Sequence, residues 1–88
     1  MRIIVDADGC PGKHLIEKAA KDNSIELIMF CDINHVLSSD YASIRYVDSG
    51  FQTVDMKVAN ESKPKDIVIT QDFGVAAMVL AKGSYTIG

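Results

Sequence analysis

The sequence predicts an α/β domain with a mainly parallel sheet covered by helices on both faces, and three observations carry that prediction. Apolar β-branched runs alternate along the chain with helix-like stretches, the pattern of βαβ units. Two of those runs, Ile3-Ile4-Val5 and Ile67-Val68-Ile69, are apolar without a break, as expected of strands buried on both sides. Each is followed within a few residues by an acid, Asp6 and Asp72, just before a helix-like stretch. Open α/β sheets bind their ligands outside such strand ends.

Strands are predicted over 2–5, 25–30, 43–47, 67–70 and 84–87, the last of them short and weak, and helices over 11–22, 51–62 and 73–82. The first helix has Pro11 near its start, where a missing N–H costs least. Leu15, Ile16, Ala19 and Ala20 form its apolar stripe, while Lys18, Lys21 and Asp22 face water. Arg45 marks Ser43-Ile44-Arg45-Tyr46-Val47 as an edge strand. Ser49-Gly50-Phe51-Gln52 has the spacing of a capping box. Phe51, Val54 and Val58 then recur at helical intervals, and Pro64 closes the segment. Asn23-Ser24 and Glu61-Ser62-Lys63-Pro64-Lys65 read as short loops, and residues 31–42 as a longer polar one. No repeat, low-complexity tract or interdomain linker interrupts this order.

A chain of 88 residues makes one small domain, able to bury roughly 60–70% of its unfolded surface. With 48% hydrophobic but 7% aromatic residues, the core should be packed by aliphatic side chains and the chain should not be disordered. A formal charge of -3 argues against a broad basic surface for nucleic acid. It leaves room for a metal-dependent nuclease, because bound cations can meet a phosphate's charge. Cys10 and Cys31 are too few for a disulfide framework. Ile3-Ile4-Val5 is too short for a signal peptide or a membrane span. A reducing cytoplasm and no membrane partner are expected.

If the first strand is central and the chain reverses to place the fourth beside it, Asp6, Asp8 and Asp72 converge. Right-handed crossovers put the intervening helices on opposite faces, and Asp55, bordering the buried Val54, reaches the same crevice. Gathered carboxylates repel one another unless a cation or a shared proton relieves them. Oxygen-only ligands favour a hard ion, Mg²⁺ or Mn²⁺. Each residue also has an ordinary reading. Asp8, before Gly9-Cys10-Pro11, could organise a turn or cap the first helix, and Asp72 could cap the third. Asp55 alone would be a surface acid. Thr70 could polarise a carboxylate or position water, though threonine is common in strands. Lys13 could greet a phosphate, but a solvated first-turn lysine is the preferred reading. The pairs Cys10/His14 and Cys31/His35 share a C-x₃-H spacing. That is no known zinc-finger spacing, so small buried or half-buried cysteines and polar histidines are expected instead. Cys10 has no Cys-x₅-Arg loop that would mark it as a nucleophile.

Val5-Asp6-Ala7-Asp8-Gly9-Cys10-Pro11, followed by Lys13, resembles the opening motif of the YaiI/YqxD family (UPF0178, DUF188) of uncharacterised bacterial proteins. Thr53-Val54-Asp55-Met56, and Asp66-Ile67-Val68-Ile69-Thr70-Gln71-Asp72-Phe73-Gly74-Val75-Ala76 with Leu80 and Gly83, resemble its later blocks. The resemblance spans nearly the whole chain. It implies that residues 1–88 form a single PIN-like α/β domain and that a further C-terminal family segment lies beyond them. The family is similar to PIN-like domains, metal-dependent nucleases with a three-layer α/β/α fold and strand order 3-2-1-4-5. Their pattern has an Asp ending strand one, an acid on a middle helix, and an Asp after a Thr at the end of strand four. Asp6, Asp55, Asp72 and Thr70 match those positions, whereas Asp8 belongs to the family's opening motif. The resemblance therefore implies Asp6, Asp55 and Asp72 as catalytic residues. Asp6, Asp8, Asp55 and Asp72 would ligate Mg²⁺ or Mn²⁺, Thr70 would support them, and RNA or another single-stranded nucleic acid would be the substrate.

Two other readings compete. Asp6-Ala7-Asp8-Gly9 resembles the start of haloacid-dehalogenase phosphatases, where a first Asp is the nucleophile and a second the general acid. Cys10 stands where Thr or Val is usual there, and neither a lysine motif nor a distal acidic pair is evident. The third reading is a metal-stabilised binding or assembly module, a homodimer through an uncovered sheet face.

Overall fold

The first strand, β1, spans Arg2–Asp6, and a single 3₁₀ turn over Ala7–Gly9 leaves its end. The chain continues as α1 (Lys13–Asp22), β2 (Glu26–Asp32), β3 (Ser43–Val47), α2 (Val54–Glu61), β4 (Ile67–Ile69), α3 (Phe73–Ala81) and β5 (Tyr85–Ile87). The computed structural model describes residues 1–9, 12–34, 37–48 and 50–87. All five strands are parallel, in the order β3-β2-β1-β4-β5. This is the strand order the resemblance implied. The two uninterrupted apolar runs are neighbours, β1 and β4, while the Arg45-bearing strand and the short last strand form the edges.

Side chains alternate between the two faces of a strand, and the core divides accordingly. Ile4, Ile28, Phe30 and Val68 pack with Val54, Val58 and Ala59 of α2 and Val75 and Val79 of α3. Ile3, Val5, Leu27, Met29 and Cys31 pack on the other face with Ala20 and the half-buried Ile16 of α1. Helices thus lie on both sides, giving a three-layer α/β/α arrangement. Arg45 lies across the Phe30 ring, its guanidinium carbon 5.9 Å from the ring centre, so the charged edge residue also shields the core.

Several local expectations are corrected. Leu15 is 74% exposed and Phe51 92% exposed, so neither belongs to a buried stripe. In α1 the contact falls on Ile16 and Ala20, one turn apart. Phe51 precedes α2, in a turn where the Gly50 N–H donates to Asp48 Oδ1 at 2.9 Å and the Phe51 N–H to the Asp48 carbonyl at 3.0 Å. Asp48 organises that turn, and the helix starts three residues later than the pattern suggested, with Thr53 at its N-cap. Ser49, the expected capping residue, lies outside the described residues. So do Cys10, Pro11 and His35. Strand β2 runs on through Cys31 and Asp32, which the polar composition of residues 31–42 assigns to a loop.

Candidate functional site

The strand order makes β1 a switch point. The chain runs outward from β1 through β2 to β3, then crosses back to set β4 on β1's other side. A crevice opens at the carboxyl ends of two such strands because their following connections leave in opposite directions. Asp6 ends β1 there. By alternation it shares the face of Ile4, the one covered by α2 and α3. Both helices follow strands, so both begin at this end of the sheet. Asp55 sits in the first turn of α2 and Asp72 is the N-cap of α3.

The half-buried Asp6 carboxyl is pushed above its ordinary range. Loss of water is the largest cause, and the negative charges of Asp8, Asp55 and Asp72 add to it. A hydrogen bond from the Asp8 backbone N–H acts in the opposite direction. Asp8, Asp55 and Asp72 are therefore each within electrostatic reach of Asp6. They are not packed into a tight cage: among the described residues, no three His, Cys, Asp or Glu side chains stand close enough to share one ion.

Two of the four also have structural work. Asp72 Oδ1 accepts from the Val75 N–H at 3.0 Å, capping α3, and the Asp72 N–H donates to Thr70 Oγ1 at 3.1 Å. Thr70 is buried and fixes the backbone from which Asp72 projects. The Asp8 carboxylate accepts from the Asp32 N–H, at 3.3 and 3.1 Å from its two oxygens. This ties the turn after β1 to the end of β2. The ordinary reading of Asp72 as a helix cap holds, whereas Asp8 bonds across to β2 rather than capping α1. A carboxylate offers about four lone-pair sites, so the cap does not exhaust Asp72.

Lys13 corrects the sequence reading. It is half-buried rather than solvated, and its Nζ donates to the Ala7 carbonyl at 3.1 Å, between Asp6 and Asp8. Asp32 was missed. Its carboxylate accepts from the Asn34 N–H at 2.8 Å, and its charge reaches Cys31. Its signal was the one that found Asp6, an acid closing an apolar run, had the run been carried two residues further. Cys31 is a free thiol buried among Met29 and Leu27. Burial chiefly, then the charges of Asp8 and Asp32, push it up, with Lys13 opposing. His14 is exposed on α1. Cys31 fits a core residue rather than a zinc ligand, and the other two members of that set, Cys10 and His35, lie outside the described residues.

The donor set is carboxylate oxygen throughout, which suits a hard divalent ion. Mg²⁺ keeps several waters and commonly takes only one or two carboxylates, so an open arrangement fits it in chemistry.

Fold and site together define an α/β/α protein with an acidic cluster at the switch point of a parallel sheet. The family model described as Uncharacterized BCR, YaiI/YqxD family, matches residues 4–88. The chain is also similar to UPF0178 proteins of Clostridium novyi, at 67% identity over 87 residues, and of Clostridium tetani, at 66%. The Clostridium kluyveri relative is 55% identical. The chain belongs to the YaiI/YqxD family. These matches cover 99% of the chain but 58%, 60% and 57% of the respective relatives, so the chain spans well under two thirds of their length. No solved structure matches it. Among the described residues no helix is long and apolar enough to cross a membrane.

Proposed function

We propose that this protein is a divalent-metal-dependent nuclease, hydrolysing phosphodiester bonds of RNA at the acidic switch-point site of a PIN-like domain. One observation carries the reading: the half-buried Asp6 carboxyl lies under the charge of three further acids. Such repulsion costs a folded chain stability, and a bound cation relieves it. Asp6, with Asp55 and Asp72, would hold Mg²⁺ or Mn²⁺, and Asp8 would flank them. When bound, the ion would lower the pKa of a water and stabilise charge on the scissile phosphate.

The chain's own groups have consistent parts in this. Thr70 and the Val75 N–H hold Asp72 in one orientation. The N-termini of α2 and α3 open at the same end of the sheet, where their partial positive charge favours a phosphate. Lys13, bonded to the Ala7 carbonyl, adds a cation beside the turn that carries Asp8. A phosphatase of the haloacid-dehalogenase kind would need Asp8 as a proton donor. Here both its oxygens accept from a backbone N–H, which favours the nuclease reading.

The test is cleavage of a mixed RNA and single-stranded DNA panel with Mg²⁺ or Mn²⁺ and with chelator. Cleavage should need metal and fall at least about 100-fold in Asp6→Asn, a loss of about 2.7 kcal/mol in transition-state stabilisation. Metal-dependent activity that survives Asp6→Asn removes the site from the reaction.

A further inference from the structure

The α1 side of the sheet is covered unevenly. Over β2 lie α1 and, beside it, Leu37, Tyr41 and Ala42 of the β2–β3 connection, all packed on the same cluster. The register carries that face onward across β4 and β5: Ile3 pairs with Ile67 and Ile67 with Tyr85, while Val5 pairs with Ile69 and Ile69 with Ile87. Along these rows burial fades. Ile3 and Val5 are buried, Ile67 and Ile69 are partly exposed, and Tyr85 and Ile87 are 59% and 55% exposed. Helix α3 reaches β5 from the opposite face.

Strands of a parallel sheet are normally covered on both faces, so an open row of Ile67, Ile69, Tyr85 and Ile87 is anomalous. Its width is informative. Two strands about 4.8 Å apart present a band about 10 Å wide, the diameter of one α-helix. The residues sit on the face and not along the outer edge of β5, so a packed helix fits them better than an added strand.

The relatives supply the candidate occupant. The 87 matched residues are 58% of the Clostridium novyi protein, which leaves about 63 of its residues outside the match. A helix of about ten residues, roughly 15 Å long, would cover both short strands, and that remainder is several times longer. We propose that the α1-side face of β4 and β5 is a docking seat for an amphipathic helix from the part of the longer relatives that lies outside the match.

The test mixes the 88-residue protein with the unmatched part of the Clostridium novyi relative, made as a separate polypeptide. Size-exclusion light scattering would give stoichiometry, and amide hydrogen exchange would locate the contact. A one-to-one complex that slows exchange in β4 and β5 at least tenfold supports the seat, provided Tyr85→Lys and Ile87→Lys abolish it while circular dichroism shows them folded. Ile87→Leu, which keeps the apolar surface, should bind as the parent does. No binding, or protection confined to another surface, overturns the proposal. So does a homodimer of the 88-residue protein that the same lysine variants dissolve, since a second copy would then be the occupant.

Discussion

The two ends of the sheet treat buried acid in opposite ways. At the amino ends of β1 and β4, Asp66 meets Arg2, which donates through Nη2 at 2.7 Å and through Nε at 3.3 Å. The Lys63 N–H adds a third bond at 2.8 Å, and Arg2 Nη2 also donates to the Glu61 carbonyl. Burial alone would raise Asp66, but Arg2 and the Lys63 N–H outweigh it and hold the carboxyl below its ordinary value. At the carboxyl ends of the same two strands, burial and three neighbouring acids push Asp6 up. One end is a clamp that holds adjacent strands together. The other leaves Asp6, among the described residues, without a cation partner of this kind and under the charge of three further acids.

The largest effect should come from breaking the clamp. Arg2→Ala strands a nearly buried carboxylate and should cost about 3–5 kcal/mol, a large part of the stability of a domain this size. Urea unfolding measures it, and an unchanged midpoint would show the pair to be ornamental. The clamp also predicts acid sensitivity. Because Asp66 has a lowered folded-state value, its contribution is complete above the ordinary carboxylate pKa of about 4. That contribution is lost as pH falls through the lower folded value. Asp66→Asn should flatten this acid limb in thermal melts followed from pH 6 to pH 2.

At the other end the sign reverses. A raised Asp6 takes up its proton more readily in the folded state, so its ionisation costs stability as pH rises from the ordinary value through the raised one. Asp6→Asn should therefore raise Tm at neutral pH, while the proposed cleavage is lost. A lower Tm for this variant, measured without metal, would contradict the picture of unrelieved repulsion. Asp72 separates its two parts. Asp72→Ala should lose about 1 kcal/mol with the α3 cap; Asp72→Ser should keep the cap and still lose cleavage. The smallest effect belongs to an exposed pair with neither role. Lys18→Ala, removing the bridge to Asp22 at 3.0 Å, should change urea stability by less than about 0.5 kcal/mol.

Much of this architecture is legible before folding. Uninterrupted Ile and Val runs marked β1 and β4 as inner strands, Arg45 marked β3 as an edge, and acids closing the runs marked the end of the sheet where the carboxylates gather. What misled was local pattern without tertiary context. Leu15 has helical spacing but lies on the side of α1 away from the sheet. Phe51 has the right interval to Val54 but sits in a turn governed by Asp48. Lys13 looked solvated because nothing in its neighbours along the chain shows that the Ala7 carbonyl will stand within reach.

The sequence by itself determined the alternation of strands and helices, the parallel sheet and the four acids, since periodicity and strand-end chemistry are local properties. The tertiary structure alone decided that Asp6 would feel Asp55 and Asp72, residues some fifty to sixty-five positions away. It also paired Arg2 with Asp66 and left Tyr85 and Ile87 uncovered. The physical reason is common to all three. Burial and charge depend on distance through space, and that distance is set by which strands become neighbours.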